Sequence, residues 1–135
     1  MESPTCVLDA SALLAYLNDE AGAQLVEDAL SRGSAISAVN MAEVLSKLTE
    51  LGKEPEDVSD ELQRRGFLGG TLAVFPLTSD DAVVMAKLYR RTKAHGLSLG
   101  DRACLGLALR LGVRALTTDG AWSRLKIAVK VELIR

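Results

Sequence analysis

Apolar residues along this chain recur in two alternating rhythms. Short apolar runs bounded by polar residues, at 5–8, 35–37, 72–75, 115–117 and 127–133, have the length and make-up of buried strands. Between them apolar positions return every three or four residues. That spacing predicts helices over 11–17, 22–30, 38–51, 54–65, from Thr78 or Ser79 to about residue 95, and 98–111, with a short one over 120–125. In the 38–51 segment Met41, Val44, Leu45, Leu48 and Leu51 share one helical face. Boundary residues agree with these spans: Gly33, Gly52, Gly66, Gly96 and Gly112 follow helical segments, Pro55 suits a first turn, and Gly69-Gly70 marks a turn. Strands alternating with helices predict an α/β domain over residues 1–135, with a mostly parallel sheet of about five short strands between two helical layers and right-handed crossovers. Ligand sites in such folds lie beyond the carboxyl ends of the strands.

Composition narrows the partners. The chain has 135 residues, 48% of them hydrophobic, enough for one compact domain with a core of Leu, Val and Ala. Aromatic residues make up only 4%, which argues against a base-stacking platform. Cys6 and Cys104 each sit in an apolar stretch and read as buried thiols of a reducing compartment rather than a disulfide. The start, Met1-Glu2-Ser3-Pro4, has no basic leader, and no apolar run approaches the roughly 18 residues of a membrane span, so a soluble, cytoplasmic protein is expected. The formal charge of −2 hides an asymmetry: residues 1–63 carry 3 Lys and Arg against 13 Asp and Glu, and residues 64–135 carry 13 against 5. The basic half is a source of nucleic-acid phosphate contacts, with Arg90, Arg91, Lys93 and Arg102 the candidates.

Four acids carry the chemistry. Asp9, Glu43, Asp101 and Asp119 each stand where an apolar run gives way to polar residues, at positions that fall along one edge of a parallel sheet. Each has an ordinary reading on its own: Asp9 and Asp119 as helix caps, Asp101 in a capping box with Ser98, Glu43 paired with Lys47 one turn on. Gathered at one edge they are costly, since two like charges about 4 Å apart repel by about 4 kcal/mol at an effective dielectric near 20. Either their pKa values rise or a cation binds. An all-oxygen set without His or Cys suits Mg²⁺ or Mn²⁺, which can direct a water onto a phosphodiester. Ser11, Asn40, Ser98 and Thr118 lie beside these acids as candidate supporting groups, each also a plausible cap or turn residue.

Rival chemistries lack their residues. His95 is the only histidine, no serine lies in a G-x-S-x-G setting, and no phosphate-cradling G-x-x-x-x-G-K-S/T loop exists. Trp122 reads as a core anchor. A receiver-type phosphate acceptor would want paired acids after the first strand, whereas Asp9 is followed by Ala10, and Asp80-Asp81 sits in a capping context after Pro76.

With these residues assembled, the chain resembles the PIN-domain ribonucleases, and more narrowly the VapC-type toxins of toxin-antitoxin pairs. The resemblance covers essentially the whole chain and rests on Val7-Leu8-Asp9-Ala10-Ser11-Ala12, Asn40-Met41-Ala42-Glu43-Val44, Leu97-Ser98-Leu99-Gly100-Asp101-Arg102, and Leu116-Thr117-Thr118-Asp119 followed by Trp122. It implies a PIN-like three-layer sandwich in which Asp9, Glu43, Asp101 and Asp119 bind one or two Mg²⁺ or Mn²⁺ ions and direct RNA hydrolysis, with the Ser11 hydroxyl beside them. It implies a homodimer and a VapB-type antitoxin, for whose basic tail the acidic first half is a credible surface. Some members carry a further acid just after the last one; here Gly120, Ala121, Trp122 and Ser123 supply none. A PIN-like scaffold that only binds a partner is the competing reading.

Overall fold

The computed structural model describes residues 3–135. In chain order the elements are β1 (Cys6–Leu8), α1 (Ala10–Leu17), α2 (Ala23–Arg32), β2 (Ser34–Ser37), α3 (Ala38–Glu50), α4 (Pro55–Arg64), β3 (Leu72–Phe75), α5 (Ser79–Thr92), α6 (Leu99–Leu111), β4 (Arg114–Thr117) and β5 (Val131–Leu133), with 3-10 turns at Lys93–His95 and Gly120–Arg124. The five strands form one sheet in the order β3-β2-β1-β4-β5, and every neighbouring pair is parallel. Parallel neighbours need a crossover, and the helices supply it.

Alternation along β1 divides the interior. Cys6 and Leu8 face a core built with Leu13, Leu30, Val44 and Leu62 of α1–α4, while Val7 faces a second core with Cys104, Leu105 and Leu107 of α6 and Trp122. The result is three layers: α1–α4, the sheet, and α5–α6. The fold is the α/β sandwich that the alternating pattern predicts, a parallel five-stranded sheet between two helical layers. Among the described residues no helix is long and apolar enough to cross a membrane.

Two expected elements end elsewhere. The helix expected to reach about residue 95 stops at Thr92, and the chain tightens into the 3-10 turn before Gly96, whose φ of 71° lets it double back toward α6. The strand expected over 127–133 pairs only over Val131–Leu133, ladder bonding starting where the Ala115 N–H meets the Lys130 carbonyl at 2.9 Å. Ile127 and Val129 spend their apolar side chains on the core beside Trp122 instead of on a sheet face, so an alternating pattern there does not mean pairing.

The sheet also sets where a site can form. From β1 the chain adds β2 and β3 on one side, then returns to add β4 and β5 on the other, so the strand order reverses between β1 and β4. A crevice opens at the carboxyl ends of strands at such a switch point. The Asp9 N–H bonds the Leu116 carbonyl at 3.1 Å there, tying the two strand ends together.

Candidate active site

Asp9 is the first residue past β1 and the N-cap of α1, its Oδ1 accepting the Ala12 N–H at 2.8 Å. The cap is only part of its role. Oδ1 also accepts the Ser11 hydroxyl at 2.7 Å, and Oδ2 accepts the Thr117 hydroxyl at 2.5 Å. Asp9 is only 4% exposed, and burial pushes its carboxyl above the ordinary range. The hydrogen bonds from Thr117, Ser11 and Ala12 pull the other way, and the Asp101 charge adds to the rise.

Thr117 is the residue the sequence reading passed over. Wholly buried at the end of β4, it donates to Asp9 while its Oγ1 accepts the Asp119 N–H at 3.1 Å, so one hydroxyl joins the acids of two strands. Its strand pattern reads as core; only the pairing of β4 beside β1 reveals the contact. Ser11 completes the link by accepting the Thr118 N–H at 3.0 Å.

Glu43 arrives from α3 and is held across the molecule. Asn40, three residues earlier and 1% exposed, donates from Nδ2 to Glu43 Oε1 at 2.8 Å and to the Gly100 carbonyl at 2.9 Å. Gly100 is required for this approach: a Cβ there would lie 2.5 Å from Glu43 Oε1 and 2.6 Å from Oε2. Asn40 Oδ1 is buried with no partner among the described residues, so polar capacity remains next to Glu43.

Asp101 closes a capping box at the start of α6, its Oδ2 accepting the Ser98 N–H at 2.9 Å and its own N–H reaching Ser98 Oγ at 3.1 Å. Asp119 caps the turn that follows β4 through Oδ1, which accepts the Ala121 N–H at 2.9 Å. The bland and the functional readings therefore coexist. Glu43, Asp101 and Asp119 each commit one oxygen to holding themselves in place, while Glu43 Oε2, Asp101 Oδ1 and Asp119 Oδ2 accept no hydrogen bond among the described residues. The Glu43–Lys47 ion pair does not form; Lys47 lies 3.7 Å from Glu50.

All four acids line one open cleft of about 470 Å³, with Ala10, Ser11, Leu14, Lys47 and Thr118. Asn40 and Ser98 do not line it; they hold Glu43 and Asp101. Arg90, Arg91, Lys93 and Arg102 are not in its wall either. Arg102 turns away altogether, its Nη1 donating to the Met85 carbonyl at 3.0 Å and its guanidinium lying 5.2 Å from the Tyr89 ring centre, a clamp of α6 onto α5. Arg90 and Arg91 sit in the last turns of α5. Because Arg110 at the end of α6 reaches Asp81 at the start of α5, at 3.5 Å, the two helices run antiparallel and those turns lie at the end where α6 carries Asp101. Asp81 is spent on that ion pair and on a capping box with Thr78, which leaves a receiver-type reading without its acid pair. Trp122, 1% exposed, is the core anchor expected.

The donor set fits a hard divalent ion: oxygens only, three carboxylates with an open oxygen, and a buried fourth whose ionisation a cation would favour. Among the described residues no three Asp, Glu, His or Cys groups converge tightly enough to form a ready metal cage. The cleft is thus an acid-lined crevice with room for bridging water.

Residues 6–128 match the family model of the PIN domain. No curated protein sequence matches the chain. Among solved structures, a toxin-antitoxin complex from Klebsiella pneumoniae contains a chain 17% identical with a TM-score of 0.74, over 96% of this chain and 98% of that one. The DNA-bound VapBC of Salmonella typhimurium is similar at 16% identity and a TM-score of 0.71, over 100% of both chains. VapC20 of Mycobacterium tuberculosis, a sarcin-ricin loop cleaving toxin, is similar at 15% identity and a TM-score of 0.68, over 93% of this chain and 98% of that one. At these identities the neighbours speak to the fold alone, and the family model, matched over most of the chain's length, places the protein in the PIN domain family.

Proposed function

We propose that this protein is a divalent-metal-dependent endoribonuclease, the toxin of a VapBC-type toxin-antitoxin pair. The observation that carries the reading is the cleft itself: four carboxylates from four separate segments line one crevice at the strand switch point, three of them with one oxygen pinned and one open. Capping alone explains the pinned oxygens but not why the acids share a wall. Asp9, Glu43, Asp101 and Asp119 would hold Mg²⁺ or Mn²⁺, which when bound offsets charge gathering on the phosphoryl oxygens. The chain's own groups do the positioning. Two of the open oxygens of Glu43, Asp101 and Asp119 accept the two hydrogen bonds that a water in the cleft can donate, orienting it toward the phosphorus; one of these carboxylates takes its proton as the new P–O bond forms, and the leaving oxygen, released as its own P–O bond breaks, is protonated by solvent water. Thr117 and Ser11 keep Asp9 fixed, and Asn40 keeps Glu43 fixed, so that the acids need little rearrangement when substrate arrives. Arg90 and Lys93 near the end of α5 are the candidates for contacts to flanking RNA phosphates, with Arg91 a weaker one because its Nη1 donates to the Lys126 carbonyl at 3.2 Å.

The similar structures that contain antitoxins support a VapB-type partner. A groove of about 460 Å³ between α1, α3 and α4 has an apolar floor of Leu17, Leu48 and Val58, suited to the apolar face of a partner helix, and a charge-balanced rim in which Lys53, Arg64 and Arg65 stand beside Glu54, Asp57 and Glu61, with Glu61 paired to both arginines. A homodimer and a cytoplasmic setting complete the reading.

The test is cleavage of structured and single-stranded RNA by the purified protein with Mn²⁺ or Mg²⁺. Asp101→Asn and Glu43→Gln should each lower the rate by about 100-fold or more while leaving the circular dichroism spectrum unchanged. Wild-type rates in both variants sink the proposal. One observation favours a non-catalytic PIN-like scaffold instead, namely that among the described residues no three Asp, Glu, His or Cys groups stand close enough to hold an ion together. That reading predicts no divalent-ion binding in a calorimetric titration.

A further inference from the structure

Among the described residues Lys47 is the one cationic side chain lining the acid cleft, and none of the four acids there is its partner. It follows Glu43 by four residues on α3, so it shares that helix face about 6 Å further along the axis. Its ammonium makes no ion pair with Asp9, Glu43, Asp101 or Asp119 among the described residues. Instead it lies 3.7 Å from Glu50, with the two side chains 62% and 71% exposed. An exposed pair of that kind is weak and screened by water, so the ammonium is easily drawn to a stronger anion. The acid wall repels any polyanion, and a bare carboxylate lining has no group with which to grip a phosphate. A flexible point charge at its rim does.

We propose that Lys47 is the substrate-positioning residue of this cleft, leaving Glu50 to contact a non-bridging phosphate oxygen of the bound strand. The inference rests on the nuclease reading and names the group that accepts its substrate. It makes two opposite demands on one residue. Lys47 must help an anionic strand to bind, and, as a positive charge beside the acids, it must hinder a divalent ion from binding alone.

The experiment compares full-length wild type, Lys47→Met and Lys47→Arg. Binding of a labelled phosphorothioate-backbone RNA oligomer is followed by anisotropy in Mn²⁺ across a range of salt, KM and kcat are measured on ordinary RNA, and Mn²⁺ affinity is measured without RNA by calorimetry. Lys47→Met is expected to weaken RNA binding about fivefold or more, with the loss in KM rather than kcat, and to lower the slope of log affinity against log salt by about 0.7. Lys47→Arg restores most of both. Mn²⁺ affinity in Lys47→Met should rise by roughly two- to fivefold, a gain that a structural role for Lys47 does not produce. Unchanged RNA affinity and salt slope in an enzyme that cleaves RNA overturns the Lys47 proposal and leaves the nuclease reading standing, as does weaker Mn²⁺ binding in the variant. Wild-type protein that neither binds nor cleaves RNA overturns both.

Discussion

Asp9 sets the pH behaviour of the ion-free protein. Burial raises its carboxyl above the ordinary 3.8, so the folded state holds the proton more tightly than the unfolded chain. For an acid raised in this way the contribution to stability is fully present below 3.8 and is lost as pH rises through the folded-state value. Thermal melts in chelator should therefore show Asp9→Asn melting at or above wild type at pH 7, with the advantage disappearing near pH 4. A variant that melts well below wild type at pH 7 contradicts a buried, unneutralised charge. Thr117 is the complementary case. Thr117→Val keeps the shape but leaves Asp9 Oδ2 and the Asp119 N–H without their partner. We expect a loss of about 1–3 kcal/mol in urea unfolding and a 10- to 100-fold weaker divalent-ion affinity in titration. Nothing in the local sequence separates Thr117 from any other strand threonine, whereas Asp9 declared itself by its place after an apolar run.

At the scale of elements, the site depends on α3 and α6 meeting at Gly100. The contact is close because the carboxylate of Glu43 occupies the space of a missing side chain, and Asn40 bridges the two helices at the same point. Gly100→Ala separates stability from function. Alanine is the better helix former by up to about 1 kcal/mol, and the atoms it meets are the mobile end of Glu43 rather than backbone. The variant should melt within a few degrees of wild type yet bind Mn²⁺ at least about tenfold more weakly, because Glu43 must leave its place beside Asn40. Equal ion affinity in the variant means that Glu43 does not serve the site. Nothing in the sequence sets this glycine, the second residue of α6, apart; the structure shows it as the clearance for the Glu43 side chain of another helix.

Across the whole molecule, the proposed metal centre requires that an ion relieve the mutual repulsion of the four acids. Excess Mn²⁺ should raise the melting temperature, since a ligand at about 100 times its Kd stabilises the folded state by about 2.7 kcal/mol. The gain should shrink as pH falls toward the ordinary carboxyl value, where protons compete for Asp9. An ion-independent melting curve at pH 7 contradicts the metal centre and supports a scaffold.

The chain's own pattern determined the class of fold and the order of its elements, and it singled out four acids that line one cleft, because apolar spacing, caps and strand ends are local features that neighbouring residues suffice to encode. The bounds of α3 and α4 fall within one residue of those marked by Gly52, Pro55 and Gly66. The same local rules failed for residues 127–130, where alternation serves packing, and for Arg102, whose charge is spent on a carbonyl and an aromatic ring. What only the tertiary structure decided was company. Thr117 reaches Asp9 because β4 pairs with β1 across more than a hundred residues, Gly100 receives Glu43 because α6 packs on α3, and Lys47 faces the acids because α3 forms one wall of the cleft. Such contacts depend on which strands become neighbours, and that choice is made by burial of the whole core rather than by any short stretch of sequence.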